Sequence, residues 1–262
     1  AKTWDECIIE TVYLTEIIRQ GDVEFQNCLN NIRIGNLTKK TIKMLDSRVG
    51  IDLVNDFGIK RTMLFSKNID VDRVNDEELD KLAQDGRDFN EYKMDMAVYT
   101  KPNDIVYTIE KFRKNCNAPD VLQLCVGAQV MLLRNLDLDS GLANGSRGIV
   151  TGFVEDIPMV QFVNGKKILI DYHVWLVEEN GIEILRAQQI PLRVAYAITI
   201  HKSQGCSLDY VQIDLSQCFE YGQAYVALSR VKTLKGLSIA DIDYDFIRAH
   251  PKSIEYYKSL KK

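Results

Sequence analysis

Apolar residues in the first part of the chain recur at helical spacing. Residues 5–34 read as helical with one interruption. Val12, Leu14, Ile17 and Ile18 lead to Arg19 and Gln20, and Gly21-Asp22 then breaks the pattern. Phe25, Leu29, Ile32 and Ile34 return every three to four residues, as on one face of an amphipathic helix. Asn36 and Thr38 mark a turn before a short helix near 41–47. Residues 61–65 (RTMLF) read as a buried strand, followed by the polar loop Ser66-Lys67-Asn68 and a helix near 71–82. Val71, Val74, Leu79 and Leu82 share one face of that helix. A strand, polar loop and helix in this order form a building block of α/β sheets.

Between residues 120 and 190 the period shortens. Alternating runs at 126–133, 148–154, 159–163, 167–172 and 182–187 are separated by Asn144-Gly145, Asn164-Gly165 and Asn180-Gly181. Asn-Gly between such runs is a strong hairpin signal. Short strands at this density predict a small barrel of SH3-like type. From Pro191 the α/β pattern returns, with strands at 194–200, 210–215 and 237–242 and helices at 222–231 and 252–260. The expected layout is an α/β domain over 1–120 and 191–262, with the small β-barrel inserted at 121–190.

Composition adds bounds. A chain of 262 residues, 46% hydrophobic and 27% charged, can bury a sizeable core. It has no run of about eighteen apolar residues, so no membrane span is expected. The first residues lack the apolar stretch of a signal peptide, and a start at Ala1 fits a fragment or processed product. Six cysteines without a C-x-x-C pair suggest reduced thiols and an intracellular setting. The net charge of −4 argues against nucleic-acid binding through bulk positive potential. However, residues 70–95 hold ten acidic and four basic side chains, so the rest of the chain is slightly positive.

Two stretches stand out chemically. Residues 197–205 (AITIHKSQG) end an apolar run in donors and glycine, and residues 223–230 (QAYVALSR) end a helical run in arginine. The carboxyl edge of an α/β sheet is where such folds bind ligands. Donor side chains there can hold a nucleic-acid backbone without reading its sequence. An ordinary strand exit explains the same residues. An arginine fixed at a helix end can neutralise a transferring phosphoryl group. A surface arginine favoured by the helix's negative end is the plainer account of Arg230, and Arg19 has the same ambiguity. No G-x-x-x-x-G-K-S/T phosphate loop occurs; Gly165-Lys166-Lys167 is the nearest approach and lacks the hydroxyl residue. Neither a zinc site nor a thiol–histidine centre has recognisable spacing around Cys206, His173 and His201.

Taken in order, these segments resemble the C-terminal half of superfamily-one helicases of the RecD and Pif-like type. Residues 14–20 with Phe25 and 32–35 resemble the family's motif IV region. Residues 64–68 with Val71 and Asn75 resemble the following strand, loop and helix. Residues 127–135 and 141–148 resemble the entry to an inserted barrel, residues 191–205 resemble motif V, and residues 222–230 resemble motif VI. The resemblance implies a second RecA-like motor domain without a phosphate loop, carrying an SH3-like barrel. It implies ATP and Mg²⁺ as cofactors, both held mainly by an N-terminal RecA-like domain of the same protein. Single-stranded and forked duplex DNA are the implied partners, and 5′-to-3′ translocation with unwinding the implied activity. By position, Arg19 and Arg230 look like phosphate-sensing catalytic arginines, with Gln20, Gln204 and Gly205 beside the nucleotide. Ser66, Asn68, Thr199, His201, Lys202 and Ser203 look like contacts to the DNA strand. Arg147, Lys166 and Lys167 are candidate contacts from the barrel. The chain alone is expected not to hydrolyse ATP. A non-catalytic module binding single-stranded DNA or a partner protein is the alternative.

Overall fold

The computed structural model describes residues 7–12, 16–53, 58–99, 101 and 104–259. Leu14 and Thr15 of the motif IV segment lie outside them. The first helix, α1 (Val23–Arg33), opens at Asp22, whose carboxylate accepts from the amides of Glu24 and Phe25. It buries Phe25, Cys28, Leu29 and Ile32, the spacing read from sequence. Residues 16–20 are not helical, contrary to the periodicity. Their apolar spacing is overridden because Arg19 and Gln20 reach into hydrogen bonds elsewhere in the fold.

Helix α2 (Lys39–Asp46) is capped by Thr38, and β1 (Thr62–Phe65) leads through a two-residue bend into α3 (Asn68–Gln84). Then come β2 (Asn90–Lys93), β3 (Asp95–Val98) and α4 (Ile105–Asn115). The antiparallel strands that follow are β4 (Val121–Leu124), β5 (Gln129–Leu132), β6 (Arg147–Val154), β7 (Ile157–Phe162), β8 (Lys167–Leu169), β9 (His173–Glu179) and β10 (Ile182–Gln189). The chain closes with β11 (Leu192–Val194), β12 (Ala197–Thr199), β13 (Val211–Asp214), α5 (Gln223–Leu228), β14 (Leu237–Asp241) and α6 (Pro251–Ser259).

Four strands, ordered β12-β1-β13-β14, form an all-parallel sheet. One core gathers Phe25, Leu29 and Leu45 from α1 and α2 with Ala224, Ala227 and Leu228 from α5 onto Leu64, Ile198, Ile213 and Ile239. Val71 and Val74 of α3 pack with Met63, Phe65 and Ala197 in a second cluster. Helices covering a parallel sheet explain why its strands read as near-continuous apolar runs. The antiparallel strands form a five-stranded sheet, β11-β5-β6-β7-β8, a three-stranded sheet, β3-β10-β9, and the pair β2-β4. Val130, Val150, Val160 and Phe162 centre one antiparallel core, while Phe112 of α4 packs with Leu185 and Ala187 in another.

Two turns connect the pattern to its chemistry. Asn180 and Gly181, both at positive φ, join β9 to β10, as the Asn-Gly signal predicts. Glu155 and Asp156, also both at positive φ, make the same kind of two-residue turn between β6 and β7. Asn144-Gly145 is instead part of a long connection between β5 and β6. There a Cβ on Gly145 would lie 2.8 Å from Cys206 Cβ, so its glycine allows a close approach to the 203–207 turn.

The expected strand over 194–200 is two strands in different sheets. Leu192–Val194 pairs antiparallel with β5, and Ala197–Thr199 pairs parallel with β1. Between them the carbonyl of Ala195 accepts from the Gln129 side chain and the Thr62 hydroxyl. The Tyr196 hydroxyl accepts from the Gln129 amide. This crossing ties the antiparallel strands to the parallel sheet at the segment that leads into His201.

Candidate functional site

The carboxyl end of β12 runs into the tight turn His201–Gly205. Thr199 is buried, and its hydroxyl accepts from the Lys202 amide at 3.2 Å. Ser203 is fully buried and donates its hydroxyl to the Ile200 carbonyl at 2.6 Å. These hydroxyls therefore shape the turn from within. His201, Lys202 and Gln204 carry the exposed side chains, and Gly205 takes φ +83° to complete the bend. His201 Nε2 lies 3.0 Å from Glu220. In the neighbouring loop Ser66 is nearly buried beside the Cys218 thiol, whereas Asn68 is exposed at the start of α3.

The arginines meet at the end of α5. Arg19 donates from Nε to the Ser207 hydroxyl at 2.9 Å and from Nη1 to the Ser229 carbonyl at 3.1 Å. Arg230 folds back, donating from Nε to the Val226 carbonyl at 3.0 Å and from Nη2 to the Ser229 hydroxyl at 2.9 Å. Gln20 is buried, and its amide donates to the carbonyls of Ser229 and Val231 at 3.0 and 2.8 Å. Carbonyls left open at a helix end are thus satisfied by side chains from residues 19 and 20. Gln20 is spent on this clamp. Among the described residues, Arg19 Nη2 and Arg230 Nη1 keep no protein partner.

Electrostatics at this point are unfavourable without an anion. Burial pushes the Arg230 pKa down, and the nearby Arg19 charge pushes it the same way. Burial raises the Cys206 thiol pKa, against the pull of Arg230, Arg193 and Arg19. Arg19, Arg230, Ser229, Tyr225 and Ile17 line part of a cavity of about 840 Å³. A donor set of guanidinium groups suits phosphate oxygens and repels a metal ion. Among the described residues no cluster of His, Cys, Asp or Glu could hold a metal.

The candidates from the antiparallel strands separate. Lys166 and Lys167 are exposed, Lys167 as the first residue of β8. Arg147 is 1% exposed, which removes it from any surface contact. It donates to the Lys60 carbonyl and the Thr62 hydroxyl, joining β6 to the entry of β1. Burial lowers its pKa to about 10, with Asp209 opposing. In sequence it stood among glycines and serines that read as a loop, which hid its burial. Ser207 and Ser229, which aim the arginines, were not singled out by the sequence. Their only signal was adjacency to the two conspicuous stretches.

The comparisons with known proteins point to one family. The family model described as DNA helicase Pif1, 2B domain, matches residues 109–153. The ATP-dependent DNA helicase PIF1 of Xenopus laevis is 38% identical over 264 residues, covering 100% of this chain and 40% of that protein. The crystal structure of Bacteroides sp Pif1 in complex with ADP-AlF4 superposes with a TM-score of 0.77 at 31% identity, over 95% of this chain and 56% of that one. The Bacteroides Pif1 helicase with ADP-AlF3 and ssDNA superposes at 0.60, also at 31% identity, over 95% and 56% of the two chains. The chain thus spans less than half the length of its curated relative. By sequence along its whole length and by fold, the chain belongs with the Pif1 helicases and corresponds to their C-terminal part.

Proposed function

We propose that this chain is the second motor half of an ATP-dependent DNA helicase that moves 5′-to-3′ on single-stranded DNA and unwinds duplex. The convergence of Arg19 and Arg230 on Ser229, each with one guanidinium nitrogen uncommitted among the described residues, carries this reading. The parallel sheet with its helices is the second RecA-like domain. The antiparallel strands are the inserted SH3-like barrel, with bounds wider than 121–190, since β2 and β3 pair with β4 and β10, and β11 pairs with β5. A phosphate loop and the Mg²⁺ ligands come from an N-terminal RecA-like domain of the same protein, and ATP sits between the two.

ATP bound there supplies the phosphoryl group, and Mg²⁺ neutralises part of its charge. Arg19 and Arg230 supply fixed positive charge to the γ-phosphate oxygens as charge develops in the transition state. Ser207 and Ser229 orient them beforehand, so little reorganisation is needed. Gln204 and Gly205 take the coupling role, between the nucleotide and the strand contacts. His201 and Lys202, with Asn68, hold the DNA backbone through exposed donors, while Thr199 and Ser203 shape the turn that presents the first two; Ser66, buried in the loop before Asn68, makes no such contact. Such contacts favour stepping without sequence preference.

Purified as the 262-residue chain, the protein should bind single-stranded DNA with strong salt dependence and show no ATP turnover. DNA-stimulated hydrolysis by this chain alone would overturn the split-site reading.

A further inference from the structure

A second basic site lies where the two parts of the molecule join. The connection from α4 to β4 and the segment from β11 to the 201–205 turn enclose a cavity of about 250 Å³. Phe112 and Cys116 form part of its wall, Asn117 adds an amide, and Arg193 and Lys202 enter from the other side. Arg193 has no role in the arginine pair on α5. Its Nε is buried without a hydrogen-bond partner.

The charges in this cavity are not balanced by the protein. Arg113 is already paired with Asp120 at 2.9 Å. Asp120 also lines the cavity, but among the described residues neither Arg193 nor Lys202 forms an ion pair; the exposed Asp72 acts on both, and the Cys206 thiol acts on Arg193. Burial lowers the pKa of each, and Arg193 lowers that of Lys202 further. Placing two cations together in partly desolvated space with an unsatisfied N–H is costly. An anion that accepts from both removes the cost. The space is smaller than the ~300 Å³ where small-molecule pockets begin, which suits one phosphate group and not a whole nucleotide.

We propose that Arg193 and Lys202, with the Asn117 amide, form a subsite for one backbone phosphate of a single-stranded nucleic acid at the junction of the parallel and antiparallel sheets. This rests on the reading of the chain as a strand-binding motor half and adds a contact residue to it. Arg193 lies on β11, in the antiparallel sheet, and Lys202 on the turn after β12, in the exit from the parallel sheet. One phosphate held by both bridges the two parts of the fold at the strand crossing.

The test is the salt dependence of binding of a fluorescent oligothymidylate to the 262-residue chain, for wild type, Arg193→Gln, Arg193→Lys and Lys202→Gln. Each neutralised phosphate contributes about 0.7 to the slope of log affinity against log salt for single strands. Arg193→Gln and Lys202→Gln should each flatten the slope and weaken binding roughly tenfold at low salt, the loss of one charge-assisted hydrogen bond. Arg193→Lys should restore the slope. Thermal melts in phosphate buffer and in a phosphate-free buffer of equal ionic strength separate a free-anion site from a strand site. Wild-type binding with an unchanged slope in both Gln variants overturns the subsite. So does stabilisation by inorganic phosphate that Arg193→Gln abolishes while oligothymidylate binding is untouched. Absence of wild-type binding would instead overturn the motor-half reading. Since Lys202 is exposed, its variant remains informative if Arg193→Gln fails to fold.

Discussion

Arg19 and Arg230 are separated by most of the chain, yet both are anchored to Ser229, one through its carbonyl and the other through its hydroxyl. Ser229→Ala keeps the carbonyl bond and removes the hydroxyl, so it should loosen Arg230 and leave Arg19 in place. In the full gene product we expect DNA-stimulated kcat to fall about tenfold, with KM for ATP little changed, the equivalent of about 1.4 kcal/mol of lost transition-state stabilisation. Ser229→Thr should restore activity. Steady-state kinetics check this, since a purely structural effect would move melting temperature without the kcat change.

Asn75 closes the open edge of the parallel sheet. Its side chain donates to the Ala197 carbonyl at 3.0 Å and accepts from the Ala197 amide at 2.9 Å, standing in for a further strand. Asn75→Ala leaves both backbone groups unpaired in a buried setting and should cost about 2 kcal/mol or more. Urea denaturation measures the loss. A cost under about 0.5 kcal/mol would show that the edge needs no such partner.

Gly145 lets the β5–β6 connection approach the 203–207 turn, and Cys206 Sγ lies 3.7 Å from Asn144 Oδ1. With φ at +94° and no room for a Cβ, Gly145→Ala strains the backbone and pushes on that turn. We expect a lower melting temperature together with weaker oligothymidylate binding. Gly152→Ala, at a position with open space for a Cβ, is the control and should change neither.

Much of the parallel sheet was legible because its strands are short apolar runs and its helices keep a clean three-to-four spacing, as Phe25, Cys28, Leu29 and Ile32 do. Residues 16–20 misled for a physical reason: their apolar spacing is helical, but Arg19 and Gln20 gain more from capping α5 than from a local turn. The 194–200 run hid its break because Ala195 and Tyr196 are as buried as the strands they connect. Strand β9 was missed because Val174, Trp175, Leu176 and Val177 form an unbroken apolar run, and the exposed Val174 and Leu176 remove the apolar–polar alternation that marks a half-buried strand. At the site, sequence offered the arginines and the polar turn. It could not distinguish hydroxyls turned inward, as in Ser203, from side chains facing outward, as in Lys202.

The thiols make a separate test of packing. Cys28 and Cys218 have pKa values raised by burial from 9.0 to about 11, whereas Cys7 is exposed. At pH 8 roughly one in a thousand of each buried pair is thiolate, so a disulfide reagent should label Cys7 first and these two only after denaturation. Because folding raises their pKa, the stability they contribute is complete below about pH 9 and is lost as pH rises towards 11. Urea melts at pH 8 and pH 10 should show the decline. Rapid native labelling of Cys218 would mean that the core around α5 opens.

If Arg230, with Arg19, completes an ATP site whose phosphate loop lies elsewhere in the same protein, ATP hydrolysis by the full gene product at saturating single-stranded DNA depends on it. Wild type should show DNA-stimulated turnover and Arg230→Ala a loss of about 10³–10⁵-fold, the scale of an arginine finger, with DNA affinity within a few fold. Turnover in Arg230→Ala within tenfold of wild type, or none in the wild type, would contradict the split-site reading.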